Sequence, residues 1–322
     1  MAIKRSLFAE DWYMDAVAPG QWTRLEAGKP GNAGELILTE TGRLGGKPIF
    51  SQAPLSYRLG PMYDFSPDIT TAKRLSSEHA LCEELIAQIP DFASFVLNFD
   101  WRTVNALPFH WADFDLMTRY TYVLRDLSDL DGIWDGFTSA ARRAIRKAEK
   151  QQVKIVEGTA DQLWDLYLET CTAQHRNPGY KPDHLERLCG AVADHNVGEI
   201  LLAVDDDGNH HASILVVWGG ECAYYLVGGT SHTFRSSGAM SLIMWEGIQR
   251  AAKHVPVFDF EGSMSPGIER FLRSFGAEQA PYIQVRKASP VGAAAKSALD
   301  MRRSAVKQAA KWRSRLAAGG DD

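Results

Sequence analysis

The sequence predicts a mixed α/β fold, and three observations predict it. Apolar runs such as "ASILVVW" and "CAYYLV" are strand-sized and bounded by turn residues, and segments of helical period alternate with them. From Val153 onward the order is strand, two helices, three consecutive strands, helix, strand, helix, strand. Three strands in succession, with "DDGN" as the first hairpin turn, make an antiparallel meander. No GxGxxG fingerprint occurs, which excludes a doubly wound dinucleotide fold.

In the first third, "GELILTETGRLGGKPIFSQAPLSYRLGPMY" predicts two or three antiparallel strands broken by Gly-rich turns. A helix follows in "TAKRLSSEHALCEELIAQI", with Leu75, Leu81, Leu85 and Ile89 near helical spacing and a cap at Thr70 or Thr71. "SFVLNFD" and "TRYTYVLRDL" are strands. From Ser128 the period changes to that of one helix, "SDLDGIWDGFTSAARRAIRKAEKQQ", whose second half is basic: Arg142, Arg143, Arg146, Lys147 and Lys150 against Glu149. "VKIVEG" is a strand. Thr159 caps the next helix, and Pro182 stands in the first turn of another. The remaining elements are "GEILLAVDD", "HASILVVWGG", "ECAYYLVGGT", the helix "GAMSLIMWEGIQRAAKHV", the strand "VFDFEG", the helix "GIERFLRSFG" and the strand "YIQVRKA".

With 322 residues, 45% hydrophobic and 23% charged, the chain has room for two domains of ordinary globular composition. The four cysteines, Cys82, Cys171, Cys189 and Cys222, form no CxxC pair, and His210 and His211 sit in a hairpin turn without partners at ligand spacing, so no metal is assigned. The cysteines fit reduced thiols, the N-terminus lacks the apolar core of a signal peptide, and no run approaches a membrane span, which together predict a cytoplasmic protein, at most peripheral at the inner membrane. The net charge of −5 hides a basic end. Residues 293–318 carry Lys296, Arg302, Arg303, Lys307, Lys311, Arg313 and Arg315 against Asp300, a local +6 that leaves the rest near −11. An acidic body excludes a general nucleic-acid surface and any DNA partner; the basic segment fits association with an anionic membrane.

Three stretches carry a resemblance: "SAARRAIRKAEK", "YYLVGGTSHTFRSSGAMSLIMWEGIQ" and "FDFEGSMSPGIERFLRSFGA". Together with the element order from Val153 to Lys287, they resemble GNAT acyltransferases, in particular the FemAB-like branch of that superfamily. The resemblance covers about residues 1 to 288 and implies tandem GNAT-like domains: a degenerate one at 1–128, an acyltransferase domain at 129–290 with 129–150 as a basic connecting helix, and a basic tail at 291–322.

The resemblance also implies where chemistry sits. In the family the strand before the long helix gives backbone N–H groups to the acyl donor and to the oxyanion, which points to Leu226, Val227, Gly228 and Gly229; paired glycines permit a bulge or close approach. The family pattern Q/R-x-x-G-x-G/A is met in part by Arg235, Ser236, Ser237, Gly238 and Ala239, with Met240 at the last small position. A helix N-terminus there favours phosphate. The strand "VFDFEG" alternates, placing Asp259 and Glu261 on one face, where either takes the proton of an incoming amine; Glu261, nearer the strand end, is the first candidate for the base and Asp259 the second. The alternative for both acids is structural, pairing with loop N–H groups or with Arg270 or Arg273. Tyr224 or Tyr225 protonates the leaving thiolate, since only one of two adjacent residues faces the cleft. His175, Arg176 and Tyr180 line the acceptor entrance, and Arg142 and Arg146 serve a phosphate-bearing acceptor.

The function expected is transfer of an acyl group from acyl-CoA, or a similar thioester used as co-substrate, to the amine of an envelope precursor such as an amino sugar, a sphingoid base or a peptidoglycan unit. Two alternatives stand beside it. One is a FemAB-type transferase fed by aminoacyl-tRNA, which the acidic body disfavours. The other is a non-catalytic GNAT scaffold docking to membrane or partner.

Overall fold

The helix starts follow local chemistry. In a computed structural model of the chain, which describes residues 5–295, the hydroxyl of Thr70 accepts from the N–H of Lys73 and opens its helix. Thr159 and Gln162 form a reciprocal capping box, and Pro182 fills a first-turn position.

After a short 3-10 turn, the elements run α1 (Asp11–Val17), β1 (Trp22–Lys29), β2 (Asn32–Leu44), β3 (Lys47–Phe50), β4 (Met62–Phe65), α2 (Thr71–Ala87), β5 (Ser94–Asn98), α3 (Leu107–Trp111) and β6 (Asp115–Leu124). Next come α4 (Leu130–Gly136), α5 (Ser139–Lys150), β7 (Lys154–Glu157), α6 (Ala160–Ala173), α7 (Pro182–His195), β8 (Gly198–Val204), β9 (His210–Gly219) and β10 (Cys222–Thr230). The last are α8 (Ala239–Ala251), β11 (Val257–Asp259), α9 (Pro266–Arg273) and β12 (Glu278–Ala288).

The strands form one mixed sheet in the order β1-β2-β3-β5-β12-β6-β11-β10-β9-β8-β7, with β4 on β2. β8, β9 and β10 are the expected antiparallel meander. β12 lies between β5 and β6, so the last strand is bonded to strands far earlier in the chain. Its two faces build two cores. Leu215 and Val217 of β9 join α6, α7 and the N-terminal segment, while Ile214 and Val216 join α5, α8 and α9.

Several expectations need correcting. The stretch from Ser128 is two helices, because Phe137 leaves helical geometry to bury its ring among Trp134, Trp245 and Phe275, and Thr138 then caps α5. Leu75 is 48% exposed, since α2 is covered on one side only. β1, α1 and α3 had no clear signal, being short or half-exposed. β11 stops at Asp259 rather than Gly262, and β12 begins at Glu278, four residues earlier than its apolar run.

Candidate active site

The site begins where two strands part. β10 and β11 pair in parallel only over Cys222 to Tyr224. Beyond that, a bulge shifts the register of β10 on β9 between Tyr225 and Val227, while the chain after Asp259 turns away. Glu261 takes φ +61 and Gly262 φ +53; a Cβ at Gly262 would lie 2.2 Å from the carbonyl oxygen of Tyr120, so the turn needs glycine there. A left-handed glutamate is a strained arrangement of the kind stored at functional sites. The parted strands leave an open cavity of about 610 Å³, reaching Tyr57, Tyr167, Arg176, Tyr180, Tyr225 and Glu261 among others. A slightly larger groove, about 680 Å³, lies on the N-terminal strands, but its Arg43 and Glu40 pair with each other and no buried side-chain atom lining it lacks a partner among the described residues.

Asp259 and Glu261 both reach one buried guanidinium, that of Arg58. Its Nη1 is 2.6 Å from Asp259 Oδ2, and its Nη2 is 3.5 Å from Glu261 Oε2. The Tyr282 ring flanks the cation, 4.9 Å away. Asp259 is completely buried and also accepts from the Thr121 hydroxyl and, at 2.9 Å, from the Glu261 N–H. Glu261 has fewer partners: its Oε1 is buried and accepts no hydrogen bond. Burial raises both carboxyls against the pull of Arg58. Asp259 is restrained by its donors, whereas Glu261 is driven well above the usual carboxylate range by burial, with Asp259 and Asp100 adding to the rise. One cation cannot neutralise two buried acids, so Glu261, the more weakly held of the two, is the more readily protonated.

Residues 137–271, which contain β10, the loop after it and both acids, match the family model of the acetyltransferase (GNAT) domain. The fold is similar to that of FemX, at 13% identity and TM-score 0.65, over 87% of this chain and 92% of that one. The chain thus carries a GNAT-type domain over residues 137–271 within a fold like that of FemX. L-PGS from Bacillus licheniformis is similar at 10% identity and TM-score 0.53, over 87% and 88% of the two chains. The C-terminal domain of a putative lysylphosphatidylglycerol synthetase from Agrobacterium fabrum is similar at 10% identity and TM-score 0.50, over 82% and 84%. At these identities the likeness is one of fold. No curated protein matches the sequence. The GNAT domain makes the chain a transferase of the acyltransferase class.

Within this GNAT domain the expected residues separate. Tyr225 faces the cavity, its ring over Gly228, where a Cβ would meet the hydroxyl oxygen at 2.1 Å; burial pushes its pKa up to about 12, so it stays protonated at neutral pH. Tyr224 points to the other core and packs on Phe8 at 4.7 Å. Leu226, Val227 and Gly228 line the cavity. Gly229 does not, because it lets α6 approach: a Cβ there would lie 2.2 Å from the Leu166 carbonyl carbon. Asp259 and Glu261 do share a side, but their partner is Arg58, not Arg270 or Arg273; Arg273 is bound to Glu269.

The loop before α8 is anchored from several sides. Gly238 has φ +88 and abuts the Ala144 carbonyl of α5; Ser237 accepts from the Ala239 N–H; and Lys147 bonds the Ser236 carbonyl at 2.5 Å. Arg235 is exposed and makes no hydrogen bond or ion pair among the described residues, leaving its guanidinium available, and Met240 lines the cavity. Arg176 and Tyr180 line it too, Arg176 over one face of the Tyr167 ring and Tyr180 stacked at 4.9 Å on that ring. His175 is exposed outside it. Arg142 and Arg146 are elsewhere: Arg142 donates to the carbonyls of Trp134 and Asp135, and Arg146 lies over the Trp134 ring, because the break before α5 leaves α4's end needing donors.

Sequence reasoning missed Arg58, Tyr57, Tyr167 and Thr170. Tyr57 donates to the Leu226 carbonyl at 3.1 Å, and Thr170 bonds both backbone groups of Thr230, so the freed edge of β10 is held at each end and open between. The signal for Arg58 was in "PLSYRLGPMY", an arginine among apolar residues. Among the described residues no group of three or more His, Cys, Asp or Glu side chains could hold a metal, and no helix is long and apolar enough to cross a membrane.

Proposed function

We propose that the protein is an N-acyltransferase that moves an acyl group from acyl-CoA, or a similar thioester, to the amine of a cell-envelope precursor within a ternary complex. The observation that carries this reading is Glu261 Oε1, buried, unpartnered and raised in pKa beside the parted strands of a GNAT domain. The amine nitrogen attacks the thioester carbon, forming C–N and breaking C–S. Glu261 takes the nitrogen's proton, directly or through water, and Tyr225 gives one to the departing thiolate. Backbone N–H groups along Val227 and Gly228 meet the oxyanion, and Arg235 beside the start of α8 meets the donor's phosphates.

The fold likeness to FemX and to L-PGS supports acyl or aminoacyl transfer at the envelope, and it keeps an aminoacyl-tRNA donor as the second reading. The anchoring of Arg142 and Arg146 on α4 counts against a tRNA surface on that helix. Association with an anionic membrane would fall to residues 293–318, nearly all of which lie outside the described residues.

Titrating the protein calorimetrically with acetyl-CoA and free CoA, beside Arg235→Ala, tests the donor. Binding weakened several-fold in the variant is the expected result; failure of both ligands to bind transfers the weight to aminoacyl-tRNA.

A further inference from the structure

The cavity has two unlike walls. On the α6 side it presents Tyr167, Thr170, Gln174, Arg176 and Tyr180, and the buried Tyr180 hydroxyl has no partner. On the side of α8 and α9 it presents Met240, Phe260, Ile268, Phe271 and Leu272. The second wall is continuous with one core of the molecule: Phe260 stacks on Phe275 at 5.6 Å, and Phe271 meets Phe275 at 5.1 Å.

α9 explains why this wall is open. Ile268, Phe271, Leu272 and Phe275 fall at the spacing of one helical stripe. Phe275 and Leu272 are buried at its C-terminal end, but Ile268 is 40% exposed at the other, where the stripe runs out into the cavity. Met264, on the loop joining Glu261 to α9, is 54% exposed. An apolar helix face that begins in a core and ends uncovered in a site lacks an apolar occupant. The pantetheine arm of a CoA donor is a poor one, because its amides need polar partners, and these are offered by the open edge of β10 between Leu226 and Thr230 and by the α6 side. A saturated chain needs none. From Ile268 to Leu272 the stripe covers about 6 Å along the helix, room for several methylenes.

We propose that this wall is an acyl-chain slot, and that the donor carries an alkyl chain several carbons longer than acetyl. The proposal rests on the thioester reading above and assigns the substrate class within it. The carbonyl lies between Tyr225, Gly228 and Glu261, the chain runs over Met240, Phe260, Phe271 and Ile268, and the acceptor amine comes from the tyrosine wall.

The test is calorimetric titration with free CoA, acetyl-CoA, hexanoyl-CoA and octanoyl-CoA, on the wild type and on Ile268→Asp and Ile268→Ala. Each buried methylene strengthens binding by up to about fourfold, so octanoyl-CoA is expected to bind about tenfold or more tightly than acetyl-CoA. That ratio falls towards one in Ile268→Asp and is intermediate in Ile268→Ala. Equal binding of acetyl- and octanoyl-CoA overturns the slot and leaves the donor reading intact. A length preference unchanged by Ile268→Asp also overturns it, since the chain then lies elsewhere. If neither CoA nor any thioester binds, the donor reading itself fails and the slot with it.

Discussion

Two arginine–carboxylate networks in this molecule have opposite charge arithmetic. Near the N-terminus, Glu35 is held by two cations: Arg5 grips it with two bonds of 2.8 Å and Arg24 adds one of 2.5 Å, so its carboxyl is pulled below the ordinary range despite its burial. At the parted strands a single cation, Arg58, serves two acids, and Glu261 is pushed up. The first is local, with Arg5 and Arg24 lying 30 and 11 residues from Glu35, whereas Arg58 lies 201 and 203 residues from its two acids. Arg24 also meets Asp11, but Glu35 itself is held by two guanidinium groups and is pulled down, whereas Glu261 shares its one guanidinium with a second buried acid and is pushed up.

The largest expected effect that separates them is at Arg58. Arg58→Met leaves the buried Asp259 carboxylate without its counter-charge and should cost about 3–5 kcal/mol of stability at neutral pH. The loss should shrink as the pH is lowered and the acids are protonated, as read by urea unfolding at two pH values. If the cost is below about 1 kcal/mol, the cation is not holding the acids and the contrast with Glu35 collapses.

Glu261→Gln comes next. It should lower turnover by about 10²- to 10⁴-fold with no loss of melting temperature, since it removes a surplus buried charge. Because the folded pKa of Glu261 is raised, its contribution to stability is full below the ordinary carboxylate range and is lost as pH rises through the folded pKa. The wild type should show that decline and Glu261→Gln should not, while the wild-type rate climbs over the same interval as the base ionises.

Glu35→Gln tests the other arm. A carboxylate holding two guanidinium groups should be worth about 1.5–3 kcal/mol at neutral pH. Its folded pKa is lowered, so this stability is present above the unfolded pKa and fades as pH falls through the folded one. Turnover should be unchanged; a loss of activity without unfolding would tie the N-terminal clamp to the site.

The smallest effect on stability belongs to Arg235, which has no partner to lose. Arg235→Ala should leave the melting temperature unmoved and raise the donor's KM several-fold, with kcat little changed. A falling melting point would make Arg235 a structural residue.

What could be read in advance was what is local. Caps at Thr70, Thr159 and Pro182 lie within four residues of the groups they serve, and the strand period placed Tyr224 and Tyr225 on opposite faces without saying which faced the cavity. The alternation in "FDFEG" likewise put both acids on one side. The break at Phe137 could not be read, because it is driven by rings of Trp245 and Phe275 more than a hundred residues away.

By itself, then, the sequence determined the mixed α/β class, the meander, the glycine-bearing strand and the acid pair, since each depends on periodicity or on neighbours along the chain. Only the tertiary structure decided what surrounds those acids. Arg58 lies 201 residues from Asp259, and the protonation of a buried carboxyl is set by the number and distance of the charges around it. That environment exists only once β12 has threaded between β5 and β6 and the loop bearing Tyr57 and Arg58 has closed over the parted strands.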